Sequence, residues 1–251
     1  MRKKYEERKK NFPFSKNSPS PTNIKKNLLH SRKQTNPNTQ KSMIKHIVFD
    51  FGGVLIDWNP LYLYNNYFGN EEQARWFIEN ICTMEWNVQM DAGKPFAQGI
   101  AELTAKHPEW AYAIAAYRSR WGEMIGGPIP GMLRQVRRLK QAGYHVWGLS
   151  NWNWDTFSTI KDDFPAVAEL EGIVVSGLEN VIKPQPAIYN VLLERFKLRP
   201  KECVFVDDNP ANVEGARAVG MYGLQFADAE QMEQALKTHF HVCFDKREEV
   251  G

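Results

Sequence analysis

The chain of 251 residues is poor in cysteine and has no long apolar run. Its three cysteines, Cys82, Cys203 and Cys243, follow no paired spacing and have no histidine at ligand distance in the sequence. This scarcity argues against a disulfide-stapled domain or a zinc site and favours reduced, mostly buried thiols. No stretch reaches the roughly 18 apolar residues of a membrane span, and no apolar core of signal-peptide length is present. The sequence therefore predicts a soluble cytoplasmic protein without a membrane partner.

The first 42 residues differ in composition from the rest of the chain. They carry 12 Lys or Arg and two Glu, with Asn, Ser and Pro throughout. Such a stretch cannot bury enough apolar surface to offset its ordering entropy, so residues 1–42 are predicted to be a disordered basic extension. A solvated tail explains this charge better than a nucleic-acid or membrane arm, because no aromatic interleaving or amphipathic period accompanies it. Met43 directly precedes the first strand-like run, and one hypothesis is that the native chain starts there.

Beyond this extension the chain is acidic. Residues 43–251 hold 20 Lys or Arg and 27 Asp or Glu, a formal charge near −7, whereas the full chain is at +3. An acidic body argues against generic nucleic-acid binding. A small molecule is therefore the expected partner.

Alternating apolar patterns predict the fold class. Short, nearly continuous apolar runs at residues 46–49, 144–149, 172–175 and 203–206 are typical of strands buried on both faces of a parallel sheet. Helical periodicity lies between and after them, at 132–142, 188–196 and 211–219. This order predicts an α/β fold with a doubly wound parallel sheet, whose ligands bind at the carboxyl ends of the strands.

Residues 60–128 have a different character. Aromatic and polar residues mix over helical stretches such as 71–81 and 99–105 with no clear strand, and the glycines and prolines of 126–130 close the segment. We interpret residues 60–128 as a small helical cap domain, joined by a hinge at 126–130 to a core formed by residues 43–59 and 129–251. Such a cap covers the crevice, excludes water and selects the substrate.

Four separated motifs carry the predicted chemistry. In chain order they contain Asp50, then Ser150 with Asn151, then Lys183, then the pair Asp207 and Asp208. Asp50, Ser150 and Asp207 each follow an apolar strand run directly. A carboxylate, a hydroxyl, an ammonium and a carboxylate pair are the groups that a pocket needs to bind Mg²⁺ and a phosphate. Asp50 alone is equally well explained by a turn at a strand end, and the pair Asp207 and Asp208 alone by a helix N-cap. Their occurrence together at strand ends favours one functional crevice.

In this order the motifs resemble the haloacid dehalogenase-like (HAD) hydrolase superfamily, specifically its members with a small helical cap, over about residues 44–226. The sugar-phosphate phosphatases, which include glucose-1-phosphate phosphatases, are the most similar branch. The resemblance implies a Rossmann-like core and a Mg²⁺-dependent phosphatase of small phosphorylated metabolites such as sugar phosphates. It also implies an aspartyl-phosphate intermediate, which splits one difficult displacement into two.

The resemblance assigns a role to each phosphate-binding residue. Asp50 is the implied nucleophile and also a metal ligand. Ser150 and the backbone N–H of Asn151 hold the transferring phosphoryl group, and Lys183 neutralises that group and Asp50. Lys183→Met is therefore expected to abolish turnover with the fold intact.

The implied magnesium site uses three further residues. Gly52 offers its backbone carbonyl, and Asp208 is the direct carboxylate ligand. Asp207 holds a metal-bound water or orients its neighbour. Because Asp207 and Asp208 are adjacent, their side chains are not expected to face the same way.

One position departs from the family pattern. Phosphatases of this superfamily usually carry a second aspartate two residues after the nucleophile, where this chain has Gly52. That aspartate acts as general acid and base, a role commonly worth about 10²- to 10⁴-fold. Its absence leaves a slow enzyme, a substitute group, or an easier leaving group such as an anomeric sugar phosphate or an aryl phosphate. Asp57 and Asp91 are the substitute candidates, and each is also explained as a turn or loop carboxylate.

Two other functions share most of these residues. A 2-haloacid dehalogenase-type hydrolase also uses an aspartate nucleophile and lacks the second acid. The adjacent Asp207 and Asp208 argue against it, because neighbouring carboxylates repel without a cation. A non-catalytic phosphate-binding HAD-like protein is the other alternative, suggested by Gly52.

Five tryptophans lie near the motifs. They are Trp58, Trp86, Trp121, Trp152 and Trp154. Packing of the cap against the core explains them better than a sugar-binding mouth, because burial alone accounts for such residues. For Trp152 and Trp154 a place at the substrate-binding mouth stays open, since they follow Ser150 and Asn151 directly.

Overall fold

The computed structural model describes residues 44–244. The predictions for residues 1–42 and for a native start at Met43 fall outside these residues. Within the described range, no helix combines the length and the apolar character that crossing a membrane requires.

A five-stranded parallel sheet forms the centre of the fold. In spatial order the strands are β5, β4, β1, β6 and β7. Their bounds are β1 His46–Phe49, β4 His145–Ser150, β5 Gly172–Val175, β6 Cys203–Asp207 and β7 Tyr222–Gln225. The predicted α/β class with a doubly wound parallel sheet is confirmed, as are the four predicted strands. β7 escaped prediction because its ends are exposed and its apolar run is short.

Helices cover both faces of this sheet. The helices of the core lie between residues 132 and 240. They are α6 Met132–Gln141, α7 Trp154–Ile160, α8 Pro165–Ala168, α9 Ser176–Glu179, α10 Pro186–Phe196, α11 Pro210–Ala218 and α12 Ala229–Phe240. Successive residues of β1 point to opposite faces. Val48 packs in one apolar layer with α10 and α11, whereas Ile47 and Phe49 belong to the other with α6 and α12. Burial on both faces explains why the strands are continuously apolar.

A helical insertion separates β1 from the rest of the core. It begins at β2, Ile56–Trp58, and ends at β3, Ile125–Pro128, and these strands pair as an antiparallel ribbon. Between them lie α1 Pro60–Phe68, α2 Glu71–Asn80, α3 Met84–Asp91, α4 Phe96–Lys106 and α5 Ala111–Ser119. The helices predicted at 71–81 and 99–105 are confirmed. Much of the expected hinge at 126–130 is instead strand β3, because Gly127 pairs with Asp57. The cap domain boundaries of 60–128 stay a prediction.

Polar caps and aromatic packing fix the insertion. Asn59, Asn70 and Thr83 cap α1, α2 and α3, each accepting a hydrogen bond from a backbone N–H of the first turn. A buried aromatic cluster joins the helices, with the rings of Trp86 and Tyr117 4.9 Å apart and edge to face. This packing holds α3, which ends at Asp91, beside the carboxyl edge of the central sheet.

Candidate active site

The predicted site residues lie at one edge of the sheet. Asp50 follows β1 directly, Ser150 ends β4 and Asp207 ends β6. Because β1 lies between β4 and β6 in register, these three strand ends are neighbours. The backbone N–H of Asp50 donates to the Val206 carbonyl at 2.9 Å, which extends the ladder to the site.

Lys183 is buried between two carboxylates. Its Nζ lies 2.8 Å from Asp50 Oδ1 and 2.6 Å from Asp207 Oδ2, and its side chain is 0% exposed. The amide side chain of Asn151 holds the Lys183 backbone with two hydrogen bonds. The Lys183 N–H donates to Asn151 Oδ1 at 2.8 Å, and Asn151 Nδ2 donates to the Lys183 carbonyl at 3.0 Å. These two bonds join the second predicted motif, Ser150 and Asn151, to the third, Lys183.

Charge in this group is unbalanced. Burial raises the pKa of Asp50 to about 7 against the opposing effect of Lys183, and Asp207 adds to the rise. Burial alone would lower the pKa of Lys183, but Asp50 and Asp207 outweigh it and raise that pKa. Lys183 therefore stays an ammonium. One ammonium facing two carboxylates leaves an excess negative charge, which a bound cation would balance.

Asp207 is committed to protein contacts. Besides Lys183, it accepts from the backbone N–H of Asn209 at 2.8 Å and from Asn212 Nδ2 at 3.1 Å to each carboxylate oxygen. The side chain is fully buried. These contacts suit a positioning role for Asp207 beneath the cavity.

Asp208 is exposed and lines the cavity, unlike the buried Asp207. Its carboxylate packs against Gly53, where an added Cβ would lie 2.7 Å from Asp208 Oδ2. Gly53 also has a φ of +74°, which favours glycine. The glycine therefore makes room for the Asp208 carboxylate.

These carboxylates fit a hard divalent cation. One oxygen from each of Asp50, Asp207 and Asp208 lies within 4.8 Å of the others. Carboxylate oxygens are the ligands that Mg²⁺ prefers. Asp50, Asp208 and Gly52 line the cavity, so they can hold the ion, while Asp207 supports them from below.

A cavity of about 550 Å³ brings the predicted residues together. Its lining includes six residues predicted for the site from separate parts of the sequence: Asp50, Gly52, Ser150, Asn151, Lys183 and Asp208. Their placement in one cavity agrees with the predicted crevice. Their individual roles remain predictions.

One part of the cavity wall is mainly apolar. Its apolar side chains are those of Trp58, Met84, Val88, Phe96, Trp121, Trp152 and Ile182, and the polar side chains of Asn87, Asp91 and Thr156 also line the cavity. Trp121 and Trp152 meet edge to face at 5.6 Å. Three of the five tryptophans considered above thus line the cavity, whereas Trp86 is buried against Tyr117 and Trp154 packs beside Phe157.

The position of the absent second aspartate is not crowded. An added Cβ at Gly52 would meet only Trp152, at an ordinary 3.9 Å. The two substitute candidates differ in location. Asp57 lies outside the cavity lining and accepts a hydrogen bond from the Tyr62 hydroxyl at 2.8 Å. Asp91 lines the cavity.

Sequence reasoning missed two polar residues that shape the site. Asn212 lines the cavity and donates to Asp207, and no spacing rule indicated it. Ser176 is fully buried, accepts from the Trp152 N–H at 2.9 Å and donates to the Asp91 carbonyl at 2.6 Å. Ser176 follows the apolar run 172–175 directly, so the strand-end rule that identified Ser150 would have found it too.

Comparisons with known proteins identify the family of the chain. The family model for haloacid dehalogenase-like hydrolases matches residues 44–220. A sesquiterpene phosphatase, astK, of Aspergillus oryzae is 28% identical over 212 residues, covering 82% of this chain and 97% of that protein. Glyceraldehyde 3-phosphate phosphatase of Pyrococcus furiosus is 28% identical over 52% of this chain and 55% of its own length.

Solved structures share the fold. The HAD family enzyme BT-2542 of Bacteroides thetaiotaomicron, solved with magnesium and inorganic phosphate, superposes with a TM-score of 0.57 at 20% identity, covering 74% of this chain and 96% of that one. L-2-haloacid dehalogenase of Xanthobacter autotrophicus gives a TM-score of 0.54 at 18% identity, covering 80% and 85%. At these identities the likeness shows the fold alone.

Proposed function

This chain belongs to the haloacid dehalogenase-like hydrolase family, and from that premise we propose that it is a Mg²⁺-dependent phosphatase with Asp50 as nucleophile. Its substrate is a small phosphorylated metabolite. The observation that carries the proposal is the buried Lys183 ammonium, 2.8 Å from Asp50 in a cavity shared with Ser150 and Asn151. We also place the protein in the cytoplasm, since its cysteines are free thiols.

In the proposed reaction Asp50 attacks the phosphorus and forms an aspartyl-phosphate, which water then hydrolyses. The Ser150 hydroxyl and the Asn151 backbone N–H bind the phosphoryl oxygens. Lys183 opposes the repulsion between the Asp50 carboxylate and the incoming dianion, an interaction that is strong in a buried site. Asp207 fixes the Lys183 ammonium at 2.6 Å.

The proposed metal site uses Asp50, Asp208 and the Gly52 carbonyl, with Asp207 orienting its neighbours. When bound, Mg²⁺ neutralises charge on the phosphoryl oxygens and favours the ionised form of the nearby carboxylates. The clustering of three carboxylate oxygens within 4.8 Å supports this assignment.

Two alternatives are tested by the same assay. A C–halogen hydrolase binds no metal, which would leave the Lys183 ammonium alone to offset the clustered carboxylates of Asp50, Asp207 and Asp208. A phosphate-binding protein without turnover is the alternative suggested by Gly52. The carboxylate cluster favours the phosphatase over the dehalogenase, and turnover in the assay below separates the phosphatase from the binding protein.

The decisive experiment is phosphate release over a panel of monoesters, with and without Mg²⁺, beside an Asp50→Asn control. We expect Mg²⁺-dependent release that the substitution abolishes. Halide release from 2-haloacids in its place would establish the dehalogenase. Tight phosphate binding without any turnover would establish the binding protein.

The substrate's organic group meets an apolar wall. The family resemblance favours a sugar phosphate, but a sugar needs several polar partners. The Thr156 hydroxyl on the wall already accepts from Trp152 Nε1 and donates to the Asn153 carbonyl, and Asn87 donates to Asp91. This arrangement favours the phosphate ester of an apolar alcohol as a second candidate, in keeping with the sesquiterpene phosphatase relative. We expect a higher kcat/KM for farnesyl phosphate than for glucose 1-phosphate, and the reverse order would restore the sugar phosphate.

A further inference from the structure

The proposed phosphatase needs a proton for its leaving group. Gly52 supplies none at the position where the family usually places an aspartate. Among the cavity-lining residues that the structure describes, the ionisable side chains are those of Asp50, Asp91, Lys183 and Asp208. Three of these are the proposed nucleophile, its counter-charge and a metal ligand. Asp91 has no role in that scheme.

We propose that Asp91 is the general acid and base of this site, which protonates the departing ester oxygen and then activates the hydrolytic water. This role rests on the proposed phosphatase function. It makes the carboxyl group at the end of α3 the functional substitute for the aspartate that Gly52 replaces.

Hydrogen bonds fix Asp91 beside the phosphate-binding loop. The backbone N–H of Asn153 donates to its carboxylate, and Asn87 Nδ2 donates to its Oδ2 at 3.0 Å. Ser176 Oγ donates to the Asp91 backbone carbonyl at 2.6 Å. The same Ser176 hydroxyl accepts from the Trp152 N–H. The carboxyl group is therefore tied to the segment that follows Asn151 directly, while part of its surface faces the cavity.

The surroundings of Asp91 favour a carboxyl group that keeps its proton near neutral pH. Burial raises the pKa of Asp91 to about 7, more than the Asn153 N–H and the Lys183 ammonium lower it. Asp91 ends α3, where the partial negative charge of the helix terminus adds to this preference. Tyr117 faces it from α5, and Asp50 and Asp208 share its cavity. A pKa close to the working pH suits a group that both gives and retakes a proton.

The proton balance closes over the two steps. As the Asp50 oxygen forms its bond to phosphorus and the ester P–O bond breaks, the Asp91 carboxyl proton moves to the departing oxygen and releases a neutral alcohol. In the second step the Asp91 carboxylate takes one proton from the attacking water as its oxygen bonds to phosphorus. Asp50 leaves as a carboxylate, inorganic phosphate keeps the other proton, and Asp91 is protonated again.

A purely structural role for Asp91 predicts a different result. Its carboxylate accepts from the Asn153 N–H, which docks α3 on the loop after β4, and from Asn87 within α3 itself. Asp91→Asn keeps an oxygen acceptor for the Asn153 N–H, so this docking largely survives, but the amide cannot deliver a proton at neutral pH. A structural loss would lower the rates of all esters alike, whereas loss of an acid selects against basic leaving groups.

The test compares Asp91→Asn with wild type on two esters of similar size, p-nitrophenyl phosphate and 2-phenylethyl phosphate. The first releases a stable phenolate and the second needs a proton. We expect kcat/KM for the alkyl ester to fall by about 10²- to 10⁴-fold and that for the aryl ester by less than about tenfold. Asp57→Asn, outside the cavity, is the matched control and should leave both rates unchanged.

In wild type the ratio of the alkyl-ester rate to the aryl-ester rate should fall above about pH 7, and in Asp91→Asn this ratio should not change with pH.

A second variant restores the acid at its usual family position. Gly52→Asp has room for its Cβ, so the double variant Gly52→Asp/Asp91→Asn should recover alkyl-ester hydrolysis. Equal losses on both esters, or none on either, would overturn the role of Asp91. If Asp91→Asn does not fold, a wild-type rate ratio that stays constant between about pH 6 and 8.5 overturns it instead. The proposed phosphatase function is tested separately by hydrolysis of the aryl ester, which Asp50→Asn should abolish. If the wild-type protein does not hydrolyse the aryl ester at all, both proposals are wrong.

Discussion

Lys183→Met is expected to unfold more easily as well as to lose turnover. The substitution fills a similar volume but removes the positive charge between Asp50 and Asp207, whose carboxylates lie 2.8 and 2.6 Å from Nζ. Removing one partner of a buried ion pair costs about 3–5 kcal/mol, because the remaining charges stay desolvated. At about 2–4 °C per kcal/mol for a domain of this size, Tm should fall by roughly 6–20 °C. The sequence alone predicted only the loss of turnover.

Thermal unfolding in EDTA at pH 8 measures this cost without a metal. Lys183→Met/Asp207→Asn is the matched variant, because it removes one of the two carboxylates that the single variant strands. It should regain part of the lost Tm. A Tm of Lys183→Met within about 2 °C of wild type would refute this account of the ion pair.

The pH dependence gives a second check on the same variant. The folded-state pKa of Asp50 is already raised to about 7, and loss of the ammonium raises it further. A carboxyl group with a raised pKa binds more protons in the folded state, so stability falls as pH rises above the unfolded value near 4. The difference in Tm between wild type and variant should therefore shrink as pH falls from about 8 to 5. A difference that widens over this range would contradict the assignment.

Three further predictions concern the metal and a surface cluster. Gly53→Ala places a Cβ 2.7 Å from Asp208 Oδ2, and the Mg²⁺ concentration for half-maximal activity should rise at least about tenfold. Mg²⁺ at about 100 times its Kd should stabilise the wild type by about 2.7 kcal/mol, seen as a Tm rise that EDTA reverses. The pKa of Glu233 is lowered to about 2, because hydrogen bonds from Lys237 and Arg138 outweigh burial. Urea unfolding of Glu233→Gln should thus show a loss of about 1 kcal/mol at pH 7 that disappears as pH falls from about 4.5 toward 2.

The sheet and its functional edge were predictable from local rules. A buried parallel strand needs apolar residues on both faces, and its carboxyl end is where the chain can present a polar side chain. Asp50, Ser150 and Asp207 satisfy both conditions, which is why residues some 150 positions apart were expected to meet. β7 failed the first condition, because Tyr222 and Gln225 at its two ends are exposed and leave only two buried residues between them.

The helical insertion could not be predicted to the same depth. Amphipathic periodicity identifies a helix, but the side chains that face the cavity depend on how several helices pack together. Asp57 and Asp91 therefore looked equivalent in the sequence, and only the structure separates them, since Asp57 is paired with Tyr62 and Asp91 lines the cavity. The glycines at 126–127 suggested a hinge, yet pairing with β2 makes the segment a strand.

The two hydrogen bonds of the Asn151 amide limit which residues the protein tolerates at position 151. Its side chain both donates to and accepts from the backbone of Lys183, 32 residues away in the chain. Aspartate keeps the acceptor but loses the donor, leucine loses both, and glutamine is one methylene too long for the same ring of atoms. Engineers who diversify this enzyme should leave position 151 fixed, because a residue that loses either hydrogen bond would loosen the backbone that carries the Lys183 ammonium.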